Sequence, residues 1–302
     1  MFKTVLVLRT ANLLRLLSLA FLLSTTSALA RPDLKPLGKN IADKGSACYQ
    51  FESHLFTSAD GKRRYKVWIG IPKKTLPAAG YPVLYMLDGN AAMARLSEPM
   101  LLRMSKGSPP VLVAVGYDTD LPFDVIARSY DYTPPGAERI NEPRMRGRKG
   151  GGSHQFRQLL LEKIVPYVEE RAPSDPQKRA IWGHSFGGLF VLDSFYNTAW
   201  FYDYFAAAPS LSWGRQRIVA LAKESDPAHL QHKSLYLMEG DGVTEQRKGF
   251  ASDLKDEESQ LNQILEQKGV DLHLSRYPGQ THGQIFPSSL TDTLRIMSNT
   301  AQ

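Results

Sequence analysis

Arg179-Ala-Ile-Trp-Gly-His-Ser-Phe-Gly-Gly-Leu-Phe190 is an apolar run that breaks into Gly183-His184-Ser185-Phe186-Gly187 and then takes on helical periodicity. Read in order it is strand, tight turn, helix. In a G-x-S-x-G turn the serine sits in a strained conformation between a buried strand and a helix, so glycine is expected wherever a side chain would collide with it. Gly183 and Gly187 occupy those places. Such a turn presents Ser185 Oγ at the C-terminal edge of the sheet, with the amide of Phe186 at the helix start facing a developing oxyanion. The bare pattern is weak, because short Gly/Ser strings are common in loops. Its surroundings strengthen it: an apolar strand ahead, Leu189, Phe190, Leu192 and Phe195 at helical spacing behind, and a histidine downstream in Thr281-His282-Gly283.

Upstream, Tyr49-Gln-Phe-Glu-Ser-His-Leu55, a Ser58-Ala-Asp-Gly61 turn and Arg64-Tyr-Lys-Val-Trp-Ile-Gly-Ile71 predict an antiparallel hairpin that opens the sheet. Val83–Leu87, Val111–Val115, Ala180–Trp182, Tyr204–Ala208, Leu235–Met238 and Leu272–Leu274 follow as near-continuous apolar strands. Runs of that kind imply parallel strands covered on both faces. Helical stretches lie between them, from Phe156 to Glu170 across Pro166, and from Asp253 to Lys268 with Gly269 as the residue that ends the helix. The alternation predicts an α/β fold with a doubly wound, mostly parallel sheet. About 45 residues separate the Ser185 helix from the Leu235 strand, too few for a large cap domain, so an open site is expected.

The chain of 302 residues, 42% hydrophobic and 10% aromatic, is long enough for one large core. Its first thirty residues differ from the rest. Lys3, Arg9 and Arg15 precede Leu16-Leu-Ser-Leu-Ala-Phe-Leu-Leu23, and small residues end in Ala28-Leu-Ala30. This pattern predicts a secretory signal at 1–30 and a single domain at 31–302, exported to the periplasm. If the segment were retained it would tether the domain to the inner membrane. Three of the net +7 charges fall within it, leaving +4 on the remainder, a mild excess that does not point to nucleic acid. Cys48 is the only cysteine, so no intrachain disulfide can form and stability must come from the core.

A serine nucleophile needs a base for its proton and dipoles for the oxyanion. His282, in the loop after the last strand, is the candidate base, and Ser then precedes His in chain order. His184 flanks the nucleophile, but successive residues of a tight turn point apart, which puts it beside the site. No HExxH or Cys/His ligand spacing occurs, so no metal or other cofactor is called for. Asn90 of Leu87-Asp-Gly-Asn90 is the candidate for the second oxyanion amide. The acid that would orient His282 is sought among Glu239, Asp241 and Glu245, with Asp241 narrowly preferred.

Tyr81-Pro-Val-Leu-Tyr-Met-Leu-Asp-Gly-Asn-Ala91, Tyr130-Asp-Tyr-Thr-Pro134, Gly151-Gly-Ser-His-Gln-Phe-Arg-Gln-Leu159, Gly183-His-Ser-Phe-Gly-Gly-Leu-Phe-Val-Leu-Asp193 and Met238-Glu-Gly240 resemble the esterase-D-type α/β-hydrolases, and within them the periplasmic siderophore trilactone esterases. The resemblance runs from about Phe51 to Met297. It implies an α/β-hydrolase fold and a serine esterase that opens the tri-serine lactone of enterobactin or the salmochelins in iron acquisition, with the ferric complex and the iron-free siderophore both open as substrates. It also implies a Ser-His dyad at Ser185 and His282, which leaves Asp241 without an assured role. Phe186 and Gly279-Gln-Thr-His282 depart from the family's usual pattern and bear on the substrate more than on the chemistry.

Arg128, Arg139, Arg144, Arg146, Arg148 and Lys149 crowd a Pro/Gly-rich segment on the edge where the nucleophile is expected. A basic rim there would steer an anionic catecholate. Arg128, Trp213 and Arg215 are the expected substrate contacts. Two other readings remain open at this point: an exported carboxylesterase for acetyl or feruloyl esters, and a catalytically silent binding module.

Overall fold

The computed structural model describes residues 34–135, 148–211, 217–242 and 251–300. The expected signal at 1–30, the basic residues Arg139, Arg144 and Arg146, the proposed contacts Trp213 and Arg215, and Glu245 lie outside them. After a capped turn of helix, α1 (Ile41–Lys44), the chain forms the expected hairpin, β1 (Tyr49–Thr57) and β2 (Arg64–Pro72), paired from Tyr49 opposite Pro72 to Thr57 opposite Arg64. Next come β3 (Tyr81–Leu87), α2 (Gly89–Arg95), α3 (Glu98–Ser105), β4 (Val111–Val115) and α4 (Ala127–Asp131). The central layer continues with α5 (Ser153–Leu159), α6 (Val165–Arg171), β5 (Ser174–His184) and α7 (Phe186–Asn197). The last third holds β6 (Asp203–Ala207), α8 (Arg217–Glu224), β7 (Ser234–Gly240), α9 (Ala251–Gln267), β8 (Asp271–Tyr277) and α10 (Ile285–Ser298).

The strands pair in the order β1-β2-β4-β3-β5-β6-β7-β8. β1 and β2 are antiparallel to their neighbours, and every pairing from β4 through β8 is parallel. Alternate residues feed two cores. Val83, Tyr85, Leu87 and Ile181 face the layer that contains Phe156, Leu189 and Phe190, whereas Leu84, Met86 and Trp182 face the layer that contains Ile285, Phe286 and Leu290. Helices cover both faces of the central strands, so those strands need no polar alternation. This is the α/β-hydrolase architecture, with β5 near the middle of the sheet.

Three local departures from the sequence pattern have physical causes. β8 is not a covered strand: Leu274 is 47% exposed, because β8 is the edge and packs only through one side. β5 begins six residues before its apolar part, and the β3–β5 register shifts between Tyr81 and Val83, so the polar Asp175-Pro-Gln-Lys178 stretch is absorbed as an irregularity. The helix across Pro166 survives through a π turn at Leu160–Ile164. Proline has no N–H and its ring collides with the carbonyl four residues back; widening the preceding turn relieves both problems. Gly269, at φ +68, ends α9 as expected, its N–H bonded to Glu266 O. Between α7 and β7 the described residues hold one strand, one helix and a 3₁₀ turn at Pro227–His229. No helix among the described residues is long and apolar enough to cross a membrane.

Candidate active site

Ser185 sits between β5 and α7 at φ 61, ψ −115, a conformation that costs on the order of 1–3 kcal/mol for a non-glycine residue and must be imposed by its surroundings. Its N–H donates to Ala207 O at 2.9 Å, and its carbonyl accepts from Ser210 N–H at 3.1 Å and Leu189 N–H at 3.0 Å. The flanking glycines are not equivalent. A Cβ at Gly183 would lie 2.5 Å from the Gly187 carbonyl group, whereas one at Gly187 would meet nothing closer than 3.5 Å, an ordinary contact with Leu87 Cβ. The second glycine that sterics demand is Gly188, where a Cβ would stand 2.8 Å from Ala207 O and 3.1 Å from Pro209 Cα. The expectation that Gly187 averts a collision is therefore corrected: the segment after β6 crosses over Gly188.

His282 Nε2 lies 3.0 Å from Ser185 Oγ, a hydrogen-bond distance for a proton acceptor. Two clamps hold its loop. From below, His184 Nε2 donates to His282 O at 2.7 Å, and the two rings stand 4.8 Å apart. Because the acceptor is a carbonyl, His184 carries its proton on Nε2 and serves as a strut. From the side, the end of β7 grips the same loop. Asp241 Oδ1 accepts Gly279 N–H at 2.5 Å and Gly242 N–H donates to Gln280 O at 3.0 Å. Gly240 and Gly242 permit this closeness, since a Cβ on either would come within 2.5 Å of the 279–280 backbone. Asp241 is thus placed on the backbone of the loop that carries His282.

Across from the elbow, Gly89 lets α2 start against β4: a Cβ would come within 2.7 Å of the Ala114–Gly116 backbone. Asn90 is buried, and its side chain is fully used, Nδ2 donating to Tyr117 O and Thr119 O and Oδ1 accepting from Tyr117 N–H at 2.8 Å. Its backbone amide belongs to the first turn of α2, and that of Phe186 to the first turn of α7, where N–H groups are not consumed by the helix ladder. The two turns adjoin, for the Gly187 Cβ position is 3.7 Å from Asp88 Oδ2.

Arg128, expected as a substrate contact, is paired with a carboxylate. Its Nε and Nη2 form a fork on Asp88 Oδ1 and Oδ2, both at 2.8 Å, with side-chain exposures of 11% and 1%. Nη2 also reaches His184 O at 3.4 Å, and Phe123, Tyr132 and Phe186 surround the guanidinium at 5.3–5.6 Å. Burial works against the charge, but Asp88 outweighs it and holds the guanidinium above its ordinary value. Of the other basic candidates, Arg148 donates to Val125 O at 3.0 Å and Lys149 is exposed. Sequence reasoning missed Ser210, whose Oγ is 3.2 Å from Ser185 Oγ. Its position just past a β-strand's C-terminal end, where α/β folds assemble their sites, was the available signal. Among the described residues no cluster of three or more His, Cys, Asp or Glu is arranged to hold a metal.

The chain as a whole is similar to known proteins. The chain is 43% identical to the apo-salmochelin esterase of Escherichia coli O6:H1 (strain CFT073) over 286 residues, covering 93% of this chain and 90% of that one. It is 28% identical to the ferri-bacillibactin esterase BesA of Bacillus subtilis (strain 168), covering 81% and 88%. Among solved structures it superposes on the enterobactin hydrolase IroE in complex with DFP with a TM-score of 0.75 at 43% identity, covering 85% of this chain and 98% of that one. Residues 58–297 match the family model described as "Putative esterase", and the chain therefore belongs to the esterase family and is a serine hydrolase of carboxylic ester bonds.

Proposed function

We propose that this protein hydrolyses the ester bonds of a catecholate siderophore trilactone of the enterobactin or salmochelin type. The observation that carries the reading is its 43% identity, across 93% of its length, to an enzyme named apo-salmochelin esterase. Ser185 Oγ attacks the lactone carbonyl while its proton passes to His282 Nε2, 3.0 Å away. The oxyanion forms against the amides of Phe186 and Asn90, and removing one such donor typically costs about 10²–10³ in kcat. His282 then protonates the departing serine hydroxyl, and water, activated by the same imidazole, releases the acyl group. Where the siderophore carries ferric iron, the metal is cargo of the substrate, and no step of the scheme needs a cofactor from the protein.

Export to the periplasm is part of the proposal and is supported by the basic, apolar and small-residue order of 1–30, with an inner-membrane tether if that segment is retained. Cell fractionation with N-terminal sequencing of the recovered chain tests it. For the chemistry, mass spectrometry of products from ferric and iron-free enterobactin is the test, with Ser185→Ala alongside. The linear trimer, dimer or monomer of the acylated serine is expected from the wild type, and a loss of roughly a millionfold in kcat from the variant. An enzyme that cleaves p-nitrophenyl acetate and leaves the trilactone intact is a carboxylesterase of another specificity. A Ser185→Ala variant that keeps a tenth of the turnover places the nucleophile elsewhere.

A further inference from the structure

We propose that Ser210 is a further catalytic residue, whose hydroxyl donates a hydrogen bond to the nucleophilic oxygen through the acylation and deacylation steps. The inference rests on Ser185 being the nucleophile. Among the described residues, Ser185 Oγ has two neighbours at hydrogen-bond distance: His282 Nε2 at 3.0 Å and Ser210 Oγ at 3.2 Å. A serine hydroxyl carries one hydrogen and two lone pairs. When His282 acts as base, the hydrogen of Ser185 points to Nε2. The contact with Ser210 must then be made by the Ser210 hydrogen, donated to a lone pair of Ser185 Oγ.

The contact is built with some effort. Ala208, at φ 39, and Ser185, at φ 61, are two of the five non-glycine residues with positive φ among the described residues. Ser185 N–H to Ala207 O and Ser210 N–H to Ser185 O tie Ser185 to the residues on either side of Ala208, whose own N–H donates to Met238 O on β7 at 2.8 Å. The bare Cα of Gly188 lets Ala207 and Pro209 approach the elbow. Backbone strain and a sterically required glycine thus deliver Ser210 to the nucleophile. Ser210 itself is partly buried, and its hydroxyl has Ser185 as its partner among the described residues.

The chemistry follows the charge on Ser185 Oγ. In acylation that oxygen gives its proton to His282 Nε2 and its electron pair to the carbonyl carbon, passing through alkoxide character. In deacylation the acyl carbon–Oγ bond breaks, the electron pair returns to Oγ, and the proton comes back from His282 Nε2. Ser210 loses no proton in either direction. Its donated hydrogen bond strengthens as charge builds on Oγ, since bonds to an ionised acceptor are roughly twice as strong as neutral ones. Preferential stabilisation of the charged moment lowers the barrier of both steps, so the effect belongs to kcat.

Ser210→Ala, Ser210→Thr and Ser185→Ala are to be compared with the wild type on p-nitrophenyl acetate and in the rate of labelling by a fluorophosphonate, with circular dichroism and melting temperature as folding controls. Neither reagent is a siderophore, so the outcome does not depend on the substrate proposed above, and Ser185→Ala tests separately that Ser185 is the nucleophile. Ser210→Ala is expected to lower kcat and the labelling rate about tenfold with KM within twofold, and Ser210→Thr, which keeps a hydroxyl, to recover most of the loss. Full activity in Ser210→Ala overturns the proposal. So does a loss in Ser210→Ala that appears in KM, or that Ser210→Thr fails to restore, because the residue would then matter through the shape of its loop.

Discussion

Two buried arginine–aspartate pairs, alike in chemistry, do different things in this molecule. Arg157 on α5 reaches Asp193 on α7 at 2.8 Å, with side-chain exposures of 10% and 4%. Ser153 and Asn197 complete the carboxylate at 2.7 and 3.3 Å. All these groups belong to helices packed on one face of the sheet, so the pair ties helix to helix. Arg128 and Asp88 match it in distance and burial. Yet Asp88 is the left-handed residue that opens α2, at φ 50, and its N–H bonds to the hydroxyl of Tyr132 at 3.1 Å. Arg128 also meets the carbonyl that precedes Ser185 and lies against the ring that follows it. A buried ion pair is weak evidence even for stability, and burial alone does not mark a site. What distinguishes the second is the backbone it holds: the two turns that carry the candidate oxyanion amides.

Breaking the carboxylate end of each pair gives the largest expected effects. Asp88→Ala and Asp193→Ala each strand a buried guanidinium and are expected to cost about 3–5 kcal/mol of stability in denaturant titrations. They part in kinetics at temperatures where both remain folded. Asp193→Ala is expected to keep kcat on p-nitrophenyl acetate within about threefold, whereas Asp88→Ala is expected to lose on the order of 10²-fold, the cost of misplacing an oxyanion donor. Equal kinetic losses would reduce both pairs to packing.

A third buried aspartate sharpens the comparison. Asp131 receives Tyr65 and Tyr117 hydroxyls at 2.9 and 3.0 Å and faces Arg63 at 3.0 Å, but Arg63 is divided between Asp131 and Asp60. Burial pushes the carboxyl up to about 7, the arginine and tyrosines notwithstanding. The folded-state value lies above the unfolded one, so between about pH 4 and 7 the folded protein holds a proton that the unfolded chain has released. Stability from this group is full below about pH 4 and falls as pH rises to about 7, by on the order of 2–4 kcal/mol. Asp131→Asn is expected to flatten that slope in melts taken across the range, and an unchanged slope would assign it to other groups.

The smallest effect is expected at Asp241, whose carboxylate contacts the backbone of the loop that carries His282. Asp241→Asn keeps an oxygen for Gly279 N–H, and its kcat on p-nitrophenyl acetate is expected to fall less than tenfold. A full triad acid would cost about 10⁴, and a loss of that size would move Asp241 from the loop to the imidazole.

The covered strands and the elbow were legible because both are local. Alternating exposure of β3 and β5 to two cores reads directly as an unbroken apolar run, and strand–Gly-x-Ser–helix needs only neighbouring residues. His282 was legible too, because the chain order of this fold brings the loop after the last strand to the same edge. Arg128 was not legible as the partner of Asp88. Its carboxylate partner lies forty positions away, and a cluster of basic letters carries no record of where one of them is neutralised. The contact of Asp241 with Gly279 and that of Ser210 with Ser185 were not legible for the same reason: an acid near a strand end, or a serine after one, takes its neighbour from whichever backbone or hydroxyl the fold sets beside it.

The sequence by itself determined the hairpin, the covered strands and the strand–turn–helix at Ser185, and marked Ser185 and His282 as the candidate nucleophile and base, because these depend on short periodicities and on glycines near one turn. Only the tertiary structure decided that Gly188 rather than Gly187 is sterically required, that Arg128 is held by Asp88, and that Ser210 stands at the nucleophile. The physical reason is that close approach, charge pairing and hydrogen-bond direction are set within a few ångströms in space, between residues that the chain keeps tens of positions apart.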